Sequence, residues 1–379
     1  MPRAASLLLA ALLLCSTRGW AQGFAAVDRA VLAGIRSQVY PGAVVVVGRR
    51  DTVLYAKGYG HLTWHRKSPR PDPARTLWDL ASLTKVVGTA SAVMVLADRG
   101  AIDLDEPVRR YLPRFTGAGR DDVTVRMLLD HTSGLPPYIP LRRYADTKDS
   151  AIAIVYGTPL QRAPGTSAVY SDLNAMLLGF LVESVAMDSF AAVVKREVLD
   201  PLGMRHTAFR PGSLAGLRIA PTGFHRGRPV QGVVNDDNAL RLGGAAGHAG
   251  LFSTGSDLVK FAQAWLNGGA TPTGRWVSDS IMRLFTLRGP KSGTRALGWD
   301  TPDADTTEPA SFGSMLGPMA YGHTGWTGTQ LWIDPARDLF VVFLTNRSLR
   351  HRTGRSLEEI KLVRGKLADA VVAATGGGT

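Results

Sequence analysis

The chain has 379 residues, a single cysteine and a formal net charge of +13. Cys15 lies in an apolar leader, so the mature protein has no disulfides, thiol nucleophile or cysteine metal site, and a large core can hold it without bridges. The positive balance suggests a loose attraction to anionic envelope polymers, and the basic residues are spread along the chain without a nucleic-acid-binding motif.

Arg3, an apolar stretch over residues 4–15 and the small-residue site Gly19-Trp20-Ala21 follow the order of a secretory signal peptide cut after Ala21. The apolar run is too short to anchor the chain in a bilayer. Leu14 stands where a lipobox needs a small residue, which argues against lipidation of Cys15. Two of the charges, Arg3 and Arg18, fall in the leader, which leaves +11 on about 358 residues, enough for one large or two interleaved units. The expected location is periplasmic or secreted, which argues against nucleic acid as a partner. No later segment reads as a membrane helix, so a soluble mature protein is expected.

Residues 42–48 and 53–56 are β-rich runs around the polar turn Arg49-Arg50-Asp51 and read as a hairpin. In Ala81-Ser82-Leu83-Thr84-Lys85 a serine and a lysine stand three apart, a spacing that puts both on one helix face within touching distance. No other lysine in the chain has a serine three residues before it. A serine hydroxyl needs an adjacent base to become nucleophilic, and a lysine can serve if burial and positive surroundings lower its pKa. The apolar run 86–97 reads as a buried helix with Ser82 at its first turn, where unpaired N–H groups add positive potential.

Over roughly residues 86–205 the pattern is mainly helical, punctuated by Pro/Gly loops. Within it, Pro164-Gly165-Thr166 leads into Tyr170-Ser171-Asp172, and an apolar helix follows over 175–185. A tyrosine beside a cation can shuttle a proton to a leaving group. Near the C-terminus, Gly322-His323-Thr324-Gly325-Trp326-Thr327-Gly328 precedes a second hairpin, 330–334 and 339–344. Alternating small residues on a strand let a substrate backbone approach closely. A last helix spans 356–373. The Gly-rich stretch around His248 fits neither a P-loop nor a dinucleotide fingerprint, and no zinc motif or Gly-x-Ser-x-Gly elbow is present, so no metal or cofactor is expected.

Ser-x-x-Lys, Tyr-x-Asp and His-Thr-Gly, in that order, make the chain resemble the serine β-lactamase and penicillin-recognising family. Thr124-Val125-Arg126-Met127-Leu128-Leu129-Asp130-His131-Thr132-Ser133-Gly134-Leu135, Val198-Leu199-Asp200-Pro201-Leu202-Gly203-Met204 and the Gly247-His248-Ala249-Gly250 block extend the likeness over roughly residues 25–350. The resemblance implies an α/β (α+β) fold: an antiparallel sheet completed by both termini, flanked by helices, with a mostly helical lobe (roughly 86–240) inserted in one hydrolase domain over residues 22–379. It implies Ser82 as the acylated nucleophile, Lys85 as its proton partner and Tyr170 as the proton-transfer group. The backbone N–H groups of Ser82 and Trp326 would form the oxyanion hole, and Asp172, His323, Thr324 and Gly325 would face the substrate.

Two departures stand out. Asp172 replaces the usual asparagine, and His323 replaces the lysine of true β-lactamases, which leaves that strand without a fixed cation near neutral pH. The reading is therefore an exported serine hydrolase acting through an acyl-enzyme on an ester, a β-lactam or a D-amino-acid peptide or amide. Neutral esters are expected to be favoured over β-lactams. The alternative is a catalytically silent relative that binds cell wall.

Overall fold

Four consecutive valines between small residues favour an extended strand, and an unbroken apolar run means that both faces of that strand are covered. The computed structural model describes residues 23–376 apart from 215, 226, 304–310 and 350–356. The leader and Cys15 lie outside the described residues. The elements that build the site are α1 (Ala25–Arg36), β1 (Gly42–Gly48), β2 (Val53–Gly60), β3 (Thr76–Asp79), α2 (Ser91–Asp98), α3 (Asp172–Ala186), β4 (Leu251–Ser253), α4 (Gly255–Leu266), β5 (Tyr321–Thr324), β6 (Gln330–Asp334), β7 (Leu339–Thr345) and α5 (Leu357–Ala374).

The main sheet has the order β5-β6-β7-β1-β2, with every neighbouring pair antiparallel. Strand β1 from near one end of the chain lies beside β7 from near the other, Ala43 opposite Thr345 and Val47 opposite Val341. Side chains alternate between faces. Val45, Val47, Val341 and Phe343 pack with Val27 and Val31 of α1 and with Ile360, Leu367 and Val371 of α5. Val44, Val46, Val342 and Leu344 pack with Leu258 and Phe261 of α4 and with Val86 and Val93 of the helical segment after Ser82. Helices on both faces account for the all-apolar strands. The antiparallel sheet completed from both termini and flanked by helices is the fold class expected from the sequence.

A smaller sheet pairs β3 antiparallel with β4, with short strands Ala208–Phe209 and Arg218–Ile219 at its edges. Strand β3 delivers the chain into the turn of Ser82. One segment corrects the sequence reading: Ala81–Asp98 is long and apolar enough to cross a bilayer, but it is 83% buried inside the protein. A helix that is apolar all round is a core helix when protein surrounds it, and this one anchors the site at its N-terminal end.

Candidate active site

The turn after β3 holds a backbone conformation that a non-glycine residue adopts at a cost. Ala81 has φ +47°, in the left-handed region where Cβ crowds the following carbonyl oxygen. Asp79 Oδ1 accepts the Ala81 N–H at 2.9 Å, which helps to hold the turn. A 3₁₀ turn over Ala81–Leu83 and a π-helical stretch over Lys85–Ala90 then lead into α2. Ser82 is half-buried in this turn. The Lys85 ammonium, 4% exposed, donates to Ser82 Oγ at 2.9 Å and to the His248 carbonyl at 3.2 Å.

The third partner of Lys85 is the Asp172 carboxylate, with Oδ1 at 2.8 Å from Nζ. Burial pushes the lysine pKa down, but the Asp172 carboxylate and Tyr170 outweigh it, and the net shift is upward. The sequence reading looked for a value lowered by burial and positive surroundings, and it set Asp172 against the substrate rather than against Lys85. Lys85 is therefore a buried cation at neutral pH, suited to stabilising negative charge on neighbouring oxygens.

Tyr170 lies among four basic side chains. The Lys85 ammonium and the Arg295 guanidinium each sit 4.9 Å from its ring centroid, within cation–π range. The His131 ring centroid is 4.8 Å away and that of His323 5.8 Å away. His131 Nδ1 accepts from the Ser171 N–H at 3.2 Å and faces Asn174 Nδ2 at 3.1 Å, which leaves the proton of the neutral ring on Nε2. Burial first, then Arg295 and Lys85, hold both histidines well below the usual imidazole pKa. They are neutral spacers around the tyrosine.

The third motif packs directly on the turn of Ser82. A Cβ at Gly325 would come within 2.5 Å of the Leu80 carbonyl oxygen, so only glycine fits the approach. Thr327 Oγ1 donates to the Asp79 carbonyl at 2.7 Å, and Thr329 Oγ1 to that of Leu80 at 2.9 Å. Arg364 of α5, itself buried, donates to the Gly325 and Thr329 carbonyls at 2.6 and 3.0 Å. This lattice sets the backbone at Trp326 beside the turn of Ser82. His323 is 3% exposed; its Nδ1 donates to the Thr324 carbonyl at 2.8 Å, and its Nε2 is a buried acceptor with no hydrogen-bond partner among the described residues. Thr324 is half-buried at the end of β5.

Ser82, Lys85, Tyr170, Asp172, His323, Thr324, Gly325 and Trp326 are thus gathered around one turn, with Asp172 set on Lys85. The motifs did not reveal Arg295, which sits in a loop with no periodicity and forms an ion pair with Asp300 at 3.6 Å. It places a cation beside Tyr170, where the His-Thr-Gly strand has none of its own. His131 and Asp79 were also missed, although Asp79 precedes the nucleophile by only three positions.

The family model described as Beta-lactamase matches residues 27–364. A protein of Salmonella schwarzengrund (strain CVM19633) named "Putative D-alanyl-D-alanine carboxypeptidase" is 32% identical over 342 residues, covering 81% of this chain and 79% of its own length. Among solved structures, a class C β-lactamase superposes with a TM-score of 0.72 at 21% identity, over 92% of this chain and 98% of that one. A penicillin-binding protein homologue from Caulobacter crescentus gives 0.71 at 21% identity, over 93% and 97%. The hydrolase EstCE1, with promiscuous acyltransferase activity, gives 0.72 at 21% identity, over 93% and 100%.

Proposed function

Because the chain belongs to the Beta-lactamase family and is a serine hydrolase, we propose that it is an exported D,D-carboxypeptidase that cleaves peptides ending in a D-amino acid through an acyl-enzyme on Ser82. Ser82 Oγ attacks the carbonyl carbon of the scissile peptide bond, and the C–O bond forms as the C–N bond breaks. Tyr170 relays the proton: its oxygen accepts that of Ser82 as its own phenol proton passes to the leaving amine, and the cations Lys85 and Arg295 against the ring stabilise the negative charge that develops on that oxygen during the transfer. The backbone N–H groups of Ser82 and Trp326 receive the oxyanion. Water then attacks the ester, with Tyr170 accepting its proton and passing it back to Ser82.

The observation that carries the substrate class is the Arg295 guanidinium over the Tyr170 ring. The leaving D-amino acid bears a free carboxylate, and a fixed cation beside the proton-transfer group favours it over a neutral leaving group. The carboxypeptidase name of the Salmonella relative supports the same class. Export rests on the sequence of the leader.

The test compares D-alanine release from a diacyl-Lys-D-Ala-D-Ala peptide with hydrolysis of a p-nitrophenyl ester and of nitrocefin. The expected result is peptide cleavage whose KM rises in Arg295→Ala while ester hydrolysis keeps its KM. A protein that hydrolyses only the ester, or a peptide KM indifferent to Arg295, overturns the substrate assignment.

A further inference from the structure

Asp79 is 3% exposed, and both of its carboxylate oxygens accept backbone N–H groups. Oδ1 holds Ala81 at 2.9 Å, and Oδ2 holds Asn235 at 2.7 Å. The next residue, Asp236, faces His248 Nε2 through its Oδ1 at 2.8 Å, and the His248 carbonyl accepts from Lys85 Nζ, which in turn donates to Ser82 Oγ. The contacts close a ring. It leaves the backbone one residue before the nucleophile, crosses a loop distant in sequence, and returns to the nucleophile through its lysine.

We propose that Asp79 is a positioning residue: its carboxylate ties the strained turn before Ser82 to the loop that, through His248, aims Lys85 at the serine. The inference rests on the acyl-enzyme reading and deepens it. A carboxylate can accept two N–H bonds at once, whereas a protonated carboxyl turns one oxygen into a donor. Protonation therefore weakens the hold on either Ala81 or Asn235, and the positive φ at Ala81 loses part of what holds it.

Burial pushes the Asp79 pKa up to about 6; the two backbone N–H groups oppose that shift and the Asp236 charge adds to it. The other charged or titratable groups of the surrounding network are Lys85 and His248 in the ring, and Arg347 and Arg364, whose guanidinium groups donate to the Trp326, Gly325 and Thr329 carbonyls on either side of Thr327. His131 and His323 are held well below the usual imidazole value, so they do not compete for a transition near 6. Acylation should decline as pH falls through that value.

The test follows the labelling rate of the intact protein by a fluorophosphonate probe from pH 4.5 to 9, with folding checked by circular dichroism. The arms are wild type, Asp79→Asn, Asp236→Asn and Ser82→Ala. The wild-type rate is expected to fall as pH drops through about 6. Asp79→Asn should label roughly 10²-fold more slowly at pH 7.5, as displaced catalytic groups do, and without the transition. Asp236→Asn, which leaves both Asp79 contacts in place, should move the transition to lower pH, because a like charge has gone. An Asp79→Asn profile like that of the wild type overturns the proposal; should that variant not fold, an unmoved transition in Asp236→Asn does so. Equal labelling of Ser82→Ala and wild type sinks the acyl-enzyme reading itself, whatever the other arms show.

Discussion

Lys85 and Asp172 form a closed ion pair, 2.8 Å apart with the lysine side chain 4% exposed and the aspartate 19%. An asparagine at this position would hydrogen-bond but not neutralise, so the buried ammonium would stand without its counter-charge. Removing one member of a buried pair costs on the order of 3 kcal/mol. Asp172→Asn should lower stability by about that amount at neutral pH. Because the folded-state pKa of Lys85 lies above its usual 10.5, the contribution is complete below that value and declines only as pH rises beyond it. Urea unfolding of both proteins at pH 7 and pH 11 checks this: the gap should narrow only at pH 11.

The proton-transfer roles make a kinetic prediction. Tyr170→Phe keeps the ring between Lys85 and Arg295 but removes the hydroxyl, and Lys85→Ala removes the cation from Ser82. Each should lower kcat by about 10²–10⁴ while circular dichroism stays native. A Tyr170→Phe enzyme with unchanged turnover would move the proton-transfer role elsewhere.

His131 supports Tyr170 as an acceptor, not as an acid. With Nδ1 receiving the Ser171 N–H, His131→Phe leaves a buried donor unpaired, which costs about 1–3 kcal/mol, and loosens the chain next to the tyrosine. The expected result is a lower Tm and a lower kcat with KM retained. A His131→Phe profile with one fewer ionisation near pH 6.5 would contradict the neutral state that burial imposes.

The frame of the molecule was legible because its signals are local. The valine run of β1, the polar turns of the two hairpins and the apolar helix after Tyr170 each state their conformation within a few residues, and the order of the three short motifs carried Ser82, Lys85 and Tyr170. The electrostatics of the site were not legible. Whether Lys85 gains or loses a proton depends on Asp172, far along the chain, and the spacing of neither motif says that the two touch. Arg295 reaches Tyr170 from an irregular loop with no pattern to announce it. The role of Asp79 depends on a backbone N–H at Asn235, a group that every residue but proline carries and no motif can mark.

The reach of Arg364 from α5 to the carbonyls of Gly325 and Thr329, together with the pairing of β1 with β7, bears on how the enzyme matures. Ser82 is synthesised well before the strand beside β1 and the guanidinium behind the Gly325 turn. Contacts of such long sequence separation form late and slowly. A nascent chain that still lacks β7 and α5 therefore carries its serine without a working site, and reactivity begins only once α5 has docked.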